Sequence, residues 1–313
     1  MPAPRRRNTL SAPRRRQPTR RPVNRAANRS FFMVAIILFV FAIMSTLFGD
    51  RFFSTVRQPA DNIIYIQFID VGQGDSTLIH TRNHAVLIDG GERRYGQRVI
   101  SYIRRAGITR LDYVIATHPH SDHIGGLIHV LSQVEIGTLI MPDVTHNTET
   151  YLDFLAAIEN HNIDVHFPEI GDRIVAGLID MTVLAPLPGH HPILNDASVA
   201  VRMDYGNASF LFTGDAESAS ERAMVNGSIP INAHVLHVGH HGSRTSTTQN
   251  FLNAVNPRVA IISAGRNNQH GHPHTEVLER LANAGVRVLR TDELGSIRMF
   301  TDGDDVWLCN CGC

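Results

Sequence analysis

Four side chains of the types that bind metal ions lie within six consecutive residues. His118, His120, Asp122 and His123 form the run His-Pro-His-Ser-Asp-His directly after the apolar stretch LDYVIAT. Successive side chains of a strand point to opposite faces, so the four converge only if the strand ends in a turn that begins a helix, for which Ser121 is a candidate N-cap. Neutral imidazole suits zinc, and an added carboxylate is typical of a hydrolytic site that keeps one position for water. The run therefore predicts a metal centre at the end of a strand.

Short β-branched runs alternate with helical stretches from residue 62 onward. The pattern predicts strands over NIIYIQFID, HAVLID, LDYVIAT, GTLIM, DMTVLAP, SVAVRMDY, SFLFTGD, HVLHVG, RVAIISA, VRVLRT and SIRMFT. Helices are predicted over 97–105, 121–131, 149–161, 216–225, 249–255 and 275–284. This order is typical of an α/β protein whose sheets are covered by helices.

Five further motifs lie near the ends of the predicted strands. They are FIDVGQGDS (68–76), LIDGG (87–91), FTGDAE (212–217), VGHHGS (238–243) and GHPH (271–274). The strand-end run resembles the H-x-H-x-D-H signature of the metallo-β-lactamase superfamily. Together with the five motifs it resembles the C-terminal hydrolase domain of the ComEC competence proteins, over about residues 62–301. The resemblance implies an αββα sandwich that binds two divalent metal ions, with zinc expected and manganese as the alternative.

The same resemblance assigns the metal ligands. It implies that His118 and His120 hold one metal, that Asp122 and His123 hold the other, and that Asp215 bridges the two. One histidine of the pair at 240–241 would complete the second metal. We expect His240, because it directly follows a strand, and keep His241 as the alternative.

The third motif of the superfamily, which often supplies a histidine to the first metal, departs from the pattern. The ComEC-like sequence there is N-D-N-S, whereas this chain has Ala197 in place of the second asparagine. Asp196, His191 or water alone remain open as the last ligand of the first metal.

Other residues are expected to support the metals or contact the substrate. Asp89 would support the metal-site loop through hydrogen bonds, and Asp75 would lie near the site. Asp122 would also orient a metal-activated hydroxide, and His272 would contact the substrate, protonate the leaving group, or act only structurally. Donors to a phosphate are expected from the stretch after the histidine pair: Gly242, Ser243, Arg244, Ser246 and Thr247. An ordinary solvated arginine is the alternative for Arg244.

The chain is predicted to divide into five segments. Residues 1–30 hold ten arginines and no acid and form a basic tail, and residues 31–48 (FFMVAIILFVFAIMSTLF) form one transmembrane helix. A linker (49–61), the hydrolase domain (62–304) and a tail with all three cysteines (305–313) follow. Arginine lies mostly before the apolar segment, so the N-terminus is expected in the cytoplasm and the domain outside it. A cleaved signal peptide is the alternative to this membrane anchor.

Composition excludes some functions. The chain contains no lysine, which rules out Schiff-base chemistry and a P-loop lysine. Without the basic tail the remainder is acidic, so no general nucleic-acid field is expected.

The motifs therefore predict a membrane-anchored, exported phosphodiesterase, with DNA as the substrate that the resemblance suggests. The alternatives are a phosphocholine-type esterase acting on cell-wall polymers and a non-catalytic anchored binding module. The lipid bilayer, at residues 31–48, is the expected partner, and no protein partner is predicted.

Overall fold

The computed structural model describes residues 62–189 and 191–309. The predicted basic tail (1–30), transmembrane helix (31–48) and linker (49–61) lie outside the described residues, as do the last four residues of the cysteine tail. Among the residues that are described, none of the helices has the length and apolar character needed to cross a bilayer.

Fifteen strands are present in the described part of the chain. They are β1 (Ile64–Phe68), β2 (Thr77–His80), β3 (Ala85–Ile88), β4 (Arg110–Ile115), β5 (Glu135–Ile140), β6 (Asp164–His166), β7 (Arg173–Ala176), β8 (Ile179–Ala185), β9 (Ala200–Tyr205), β10 (Ala208–Phe212), β11 (Val235–His237), β12 (Val259–Ile262), β13 (Arg287–Arg290), β14 (Ile297–Thr301) and β15 (Val306–Leu308). One sheet has the order β15-β14-β1-β2-β3-β4-β5-β6, and the other β13-β12-β11-β10-β9-β8-β7.

Eight helices accompany these strands in the same described residues. They are α1 (Gly96–Arg105), α2 (Ser121–Ile124), α3 (Leu127–Gln133), α4 (Glu149–Asn160), α5 (Ser218–Asn226), α6 (Gln249–Val255), α7 (Thr275–Asn283) and α8 (Thr291–Leu294). Three short 3₁₀ turns add Arg93–Tyr95, Leu194–Ala197 and Gly239–Gly242.

The sheets and helices form four layers. Apolar side chains of both sheets, such as Phe68 and Phe212, meet in one core between the sheets. A second core joins the outer face of the first sheet to α1, α3 and α4, with Phe154 at its centre. A third joins the second sheet to α5, α6 and α7 through residues such as Phe251. The α/β fold with two sheets is confirmed, in the αββα arrangement that was predicted.

All eleven predicted strands are present, but four short ones were missed: β2, β6, β7 and β15. β15 pairs with β14 antiparallel, so the sheet continues past the predicted domain end at 304. The helix predicted over 121–131 is two helices, because Gly125 and Gly126 separate them. A Cβ on Gly126 would lie 2.0 Å from the carbonyl oxygen of Gly90, a backbone approach that only glycine permits.

Five of the six motifs follow the carboxyl ends of parallel strands, and FIDVGQGDS follows β1, which runs in the same direction as β3 because both pair antiparallel with β2. β3, β4 and β5 run parallel in the first sheet, and β10, β11 and β12 run parallel in the second. Their ends therefore bring the loops of the six motifs to one edge of the sandwich.

Candidate metal centre

The loop after β4 places two histidines side by side. His118 Nε2 lies 3.0 Å from His120 Nδ1 and 3.7 Å from Asp215 Oδ2. These three side chains present ligand atoms within 4.8 Å of one another. Ligand atoms of a tetrahedral zinc site are about 3.3 Å apart, given Zn–N bonds of about 2.0–2.1 Å. The first group therefore has the spacing of a metal site.

A second group lies against the other oxygen of the same aspartate. Asp215 Oδ1 is 3.2 Å from His123 Nε2 and 3.6 Å from His241 Nε2. Asp122 Oδ2 closes the group, 3.2 Å from His241 Nε2 and 4.0 Å from His123 Nε2. Asp215 is thus shared between the two groups, one oxygen to each.

Hydrogen bonds behind the rings determine which nitrogen faces inward. His123 Nδ1 lies 2.8 Å from Asp89 Oδ2, and His241 Nδ1 lies 3.0 Å from the carbonyl oxygen of Ser263. Both acceptors require an N–H on Nδ1, so each neutral ring presents an unprotonated Nε2. Asp89 also accepts hydrogen bonds from the backbone N–H (2.8 Å) and hydroxyl (2.7 Å) of Thr117, which fixes the loop that carries the histidines.

Three buried polar atoms of the second group have no hydrogen-bond partner in the described part of the chain. Among the described residues, His123 Nε2, His241 Nε2 and Asp215 Oδ1 are buried polar atoms without a hydrogen-bond partner. Unpartnered buried groups are costly, yet here three of them converge with ligand spacing. A divalent cation would satisfy all three, so the donor set fits the metal that the motifs predict.

Asp75 and His237 lie on the far side of His241. Asp75 Oδ1 is 3.4 Å from His241 Nδ1 and 3.6 Å from His237 Nε2. Asp75 can be grouped with His123, Asp215 and His241 as ligands, but it contacts the ring nitrogen that faces away from Asp122. Asp75 Oδ1 is also buried without a hydrogen-bond partner, so Asp75 stays an alternative to Asp122 as a ligand of the second group.

The preference for His240 as the second-metal ligand is corrected by the structure. Both histidines of the pair have left-handed backbone angles, φ 51° for His240 and φ 55° for His241. This turn sends His241 into the second group, whereas His240 Nδ1 lies 3.2 Å from Glu217 Oε1. His240 Nε2 lies 3.7 Å from Asp215 Oδ2, the oxygen that faces the first group.

Neither alternative from the third motif reaches a metal group. Asp196 Oδ1 accepts hydrogen bonds from the backbone N–H groups of Glu217 (3.0 Å) and Ser220 (3.1 Å), at the start of α5. His191 Nε2 lies 2.9 Å from the carbonyl oxygen of Leu187. Of the three alternatives left open by the sequence, the contacts of Asp196 and His191 therefore favour water over either side chain. Asn195 was missed: its Nδ2 donates to Glu217 Oε1 at 2.9 Å, which holds the partner of His240.

Of the residues expected to contact substrate, His272 lies beside the metal groups, whereas others contact neighbouring parts of the protein. The His272 ring lies 5.4 Å from that of His240, beside the metal groups. Ser246 is corrected to a structural role, since its hydroxyl donates to the carbonyl oxygen of Ala216 at 2.8 Å. Arg244 turns toward Glu276 at 3.4 Å, and the buried Ser243 hydroxyl pairs with Thr245 at 3.0 Å.

His146 is a further residue that sequence reasoning missed. Its ring lies 5.9 Å from that of His120 and 6.3 Å from that of Tyr151. It belongs to the loop between β5 and α4 and has no motif around it. Only its chemistry, a histidine after a parallel strand, could have marked it.

The helix after the metal run also differs from expectation in its cap. The N-cap is His120 rather than Ser121, and no side chain caps it. The backbone N–H groups of His123 and Ile124 bond instead to the carbonyl oxygen of His120. The turn therefore depends on backbone bonds, which leave the His120 and Asp122 side chains available to the site.

Charges within the site shift the pKa values of its groups in opposite directions. Burial opposes charging of His123 and His241, but nearby carboxylates raise the pKa of both well above the usual range. Those of Asp215, Asp89 and Asp122 act on His123, and those of Asp215, Asp75 and Asp122 act on His241. For Asp215 burial is likewise outweighed, and the neighbouring histidines hold its pKa well below the usual range.

The pKa values of His118, His120 and His272 are shifted in the opposite direction to those of His123 and His241. Burial and the charge of His123 lower the pKa of both His118 and His120. Burial and the charges of His241 and His240 lower the pKa of His272 to about 4. These three rings are neutral at neutral pH, which is the state that binds a metal or donates one hydrogen bond.

Comparison with known proteins agrees with this geometry. The family model for the metallo-beta-lactamase superfamily matches residues 69–266. ComE operon protein 3 of Bacillus subtilis is 33% identical over 251 residues, covering 74% of this chain and 32% of that protein. Recombination protein 2 of Haemophilus influenzae is 32% identical over 265 residues, covering 83% of this chain and 31% of that protein. The predicted resemblance to ComEC-like competence proteins is confirmed.

The chain spans about a third of the length of the curated relatives it matches. Among solved structures, the diiron β-hydroxylase CmlA from Streptomyces venezuelae aligns with a TM-score of 0.50 and 14% identity, over 76% of this chain and 54% of that chain. At this identity the match shows the fold alone.

Metal binding is expected to stabilise the protein more at higher pH. The raised pKa values of His123 and His241 mean that their protons stabilise the metal-free fold below the unfolded pKa of about 6.5, and that this contribution is lost as pH rises through the folded values. A bound cation replaces those protons, so its affinity rises by about tenfold per pH unit for each proton displaced.

The measurement is the melting temperature with zinc and with a chelator, between about pH 6 and pH 8.5. The difference between the two should widen steadily as pH rises. A difference that stays constant would contradict the assignment of these histidines as ligands, because no protons would then be displaced.

Proposed function

The chain belongs to the metallo-β-lactamase superfamily, and we propose that it is a two-metal hydrolase that cleaves phosphodiesters. The observation that carries the proposal is the position of Asp215, which offers Oδ2 to the group of His118 and Oδ1 to the group of His123. A carboxylate shared in this way is suited to bridge two ions.

The ligands are proposed as follows. His118, His120 and Asp215 would hold one ion, and Asp122, His123, His241 and Asp215 the other. His240 would close the first set, because its Nε2 approaches Asp215 Oδ2 at the same 3.7 Å as His118 Nε2 does. Zinc suits the imidazole-rich donors, and manganese remains the alternative.

When bound, two divalent ions supply a water that ionises near neutral pH and draw charge from a phosphoryl oxygen. Among the carboxylates, Asp122 is the one that water and substrate reach, since its side chain is 27% exposed against 3% for Asp215. Asp122 can therefore accept a hydrogen bond from the attacking oxygen and orient it.

His272 is proposed to contact the substrate. Gln73 Nε2 lies 3.4 Å from His272 Nδ1; when this amide donates, the ring proton is on Nε2. A pKa of about 4 keeps the ring neutral at neutral pH, so it can donate one hydrogen bond to a phosphate oxygen but is a poor source of a proton for the leaving group.

We propose DNA as the substrate, because one of the two relatives compared above is named a recombination protein and recombination is a reaction of DNA. We further propose that residues 31–48 anchor the chain in the cell membrane with the hydrolase domain outside the cytoplasm. The uncharged apolar stretch and the arginines before it support this arrangement.

The role of His240 can be tested by counting metal ions. We expect about two zinc ions per wild-type chain, and a His240→Gln variant that keeps one while its affinity for the other falls about 10–100-fold. The matched control is His274→Gln, because that ring bonds to the backbone N–H of Arg244. Elemental analysis after gel filtration gives the stoichiometry. Two tightly held ions in the His240 variant would refute the assignment.

Activity is expected on diester substrates. The full chain, purified in detergent and loaded with zinc or manganese, should hydrolyse bis-p-nitrophenyl phosphate and single-stranded DNA. His118→Ala and Asp122→Ala should each lower kcat by about 10³-fold or more, while Asp164→Ala, an exposed carboxylate on the edge strand β6, should have no effect.

Other substrates separate the alternatives. Cleavage of p-nitrophenyl phosphocholine alone would replace the nuclease by an esterase of choline-bearing polymers. Hydrolysis of nitrocefin alone would indicate a lactamase. Silence on all four substrates with metal bound would leave the binding module as the better interpretation.

The membrane arrangement has a separate test. A reporter fused after Cys313 should be active only outside the cytoplasm, because the arginine-rich N-terminus is expected to stay inside. Activity of a cytoplasmic reporter at this position would overturn the topology without affecting the metal site.

A further inference from the structure

We infer that a cavity beside the metal centre binds single-stranded polynucleotide on one side of the cleaved bond. The cavity measures about 580 Å³, and we call it the arginine cavity after Arg94, Arg98 and Arg266 in its lining. The inference rests on the proposed function, because it extends that site from one phosphate to the neighbouring ones.

The arginine cavity adjoins the metal centre, because one of its lining residues contacts His272. Gln73 lines the cavity and reaches His272 Nδ1 at 3.4 Å, while the His272 ring lies 5.4 Å from that of His240. A chain whose phosphate lies at the metals would therefore pass His272 on its way into the cavity.

The loops that line the cavity are held by hydrogen bonds from backbone N–H groups to the side-chain amides of Gln73 and Asn268. Gln73 Oε1 accepts a hydrogen bond from the Gly265 N–H at 3.1 Å, and a Cβ on Gly265 would lie 2.6 Å from the backbone nitrogen of Gln73. Asn268 Oδ1 accepts from the backbone N–H groups of His270 (3.1 Å) and His272 (3.0 Å). Two loops, from the ends of β1 and β12, are thereby joined into one surface.

The guanidinium groups are positioned but keep donors for a ligand. Arg98 Nη1 donates to the carbonyl oxygen of Asp70, Arg94 Nε pairs with Glu92 at 2.9 Å, and Arg266 Nε donates to the carbonyl oxygen of Asp292 at 3.2 Å. Each guanidinium has five N–H donors. The bonds that hold them therefore leave several donors for phosphate oxygens, which planar guanidinium binds well.

The charge of the cavity differs from that of its surroundings. Three arginines and two acids, Asp70 and Glu92, line it, whereas residues 62–313 as a whole carry an excess of acid over arginine. A polyanion would be repelled by most of the domain and attracted at this place. The cavity is thus a local phosphate site in an acidic domain.

The remaining lining favours polynucleotide over a polyol-phosphate polymer. Asn267 and Gln269 line the same cavity as the arginines, and both side chains carry amides that can donate to and accept from base edges. A glycerol-phosphate chain has phosphates for the arginines but no base edges for the amides.

The test uses a double variant, Arg98→Gln with Arg266→Gln, in the full chain. In an Asp122→Ala background, which prevents cleavage, we expect a fluorescent single-stranded 12-mer to bind about tenfold or more weakly to the double variant. The salt dependence of binding should also fall, by about 0.7 per lost phosphate contact. Arg104→Gln with Arg287→Gln, exposed arginines outside the cavity, is the matched control and should match the parent.

Kinetics with Asp122 intact give a second measurement. The double variant should raise KM for the 12-mer about tenfold with little change in kcat, because the cavity binds remote nucleotides and holds no reacting atom. Bis-p-nitrophenyl phosphate is too short to span both places, so the loss on it should be much smaller.

Three outcomes overturn the inference while leaving the proposed function intact. The first is unchanged 12-mer binding and KM in the double variant. The second is an equal loss in the control pair, and the third is a loss confined to a glycerol-phosphate polymer. If bis-p-nitrophenyl phosphate and DNA both resist hydrolysis by the metal-loaded wild type, the proposed function fails, and the binding measurement alone decides whether the cavity holds polynucleotide.

Discussion

The buried carboxylate of Asp215 is the interaction on which the site depends. It is 2% exposed, and burial of an ionised carboxylate costs several kcal/mol unless opposite charges lie close by. His123 and His241 supply those charges on one side and His118 lies on the other. Because both oxygens are engaged by separate groups, the carboxylate cannot move toward one without leaving the other. Its position at the end of β10 therefore couples the two sheets of the sandwich at their common edge.

Close backbone packing keeps the loops around this carboxylate in place. Gly90 donates its N–H to the carbonyl oxygen of His123 at 2.8 Å, and Gly126 donates to that of Gly91 at 2.7 Å. The histidine pair after β11 adopts left-handed angles in two successive residues, a conformation that costs free energy outside glycine. Contacts with the surrounding loops must offset that free energy. The unfavourable backbone conformation is what turns His241 toward the second group.

The sequence predicted the layers of the fold and the residues of the site more reliably than it predicted their roles. The strand β10 was found because its five residues are all buried and mostly apolar, whereas β15 has three residues, none of them fully buried, and is too short to leave a pattern. The choice between His240 and His241 depends on two backbone angles that no residue type encodes. The role of Asp196 stayed open in the sequence for a related reason: a carboxylate can bind a metal or cap a helix, and only the position of α5 decides between them. Residue spacing reports which groups meet, but the orientation of each group is set by tertiary structure.

The carboxylates of the site also bear on the order in which metal and substrate would bind. Asp75, Asp89, Asp122 and Asp215 lie close to His123 and His241, and in the metal-free protein protons on these two histidines offset part of the carboxylate charge. A phosphodiester brings further negative charge and would be repelled from such a site. Two divalent ions held by these residues would offset the carboxylate charges and displace those protons, so we expect metal to bind before the proposed substrate. Beyond the metals the domain is acidic again, and a long anionic substrate then needs cationic side chains beside the site, where Arg94, Arg98 and Arg266 lie. We therefore expect metal affinity and substrate affinity to be linked, because the same carboxylates that would attract the ions would otherwise exclude the substrate.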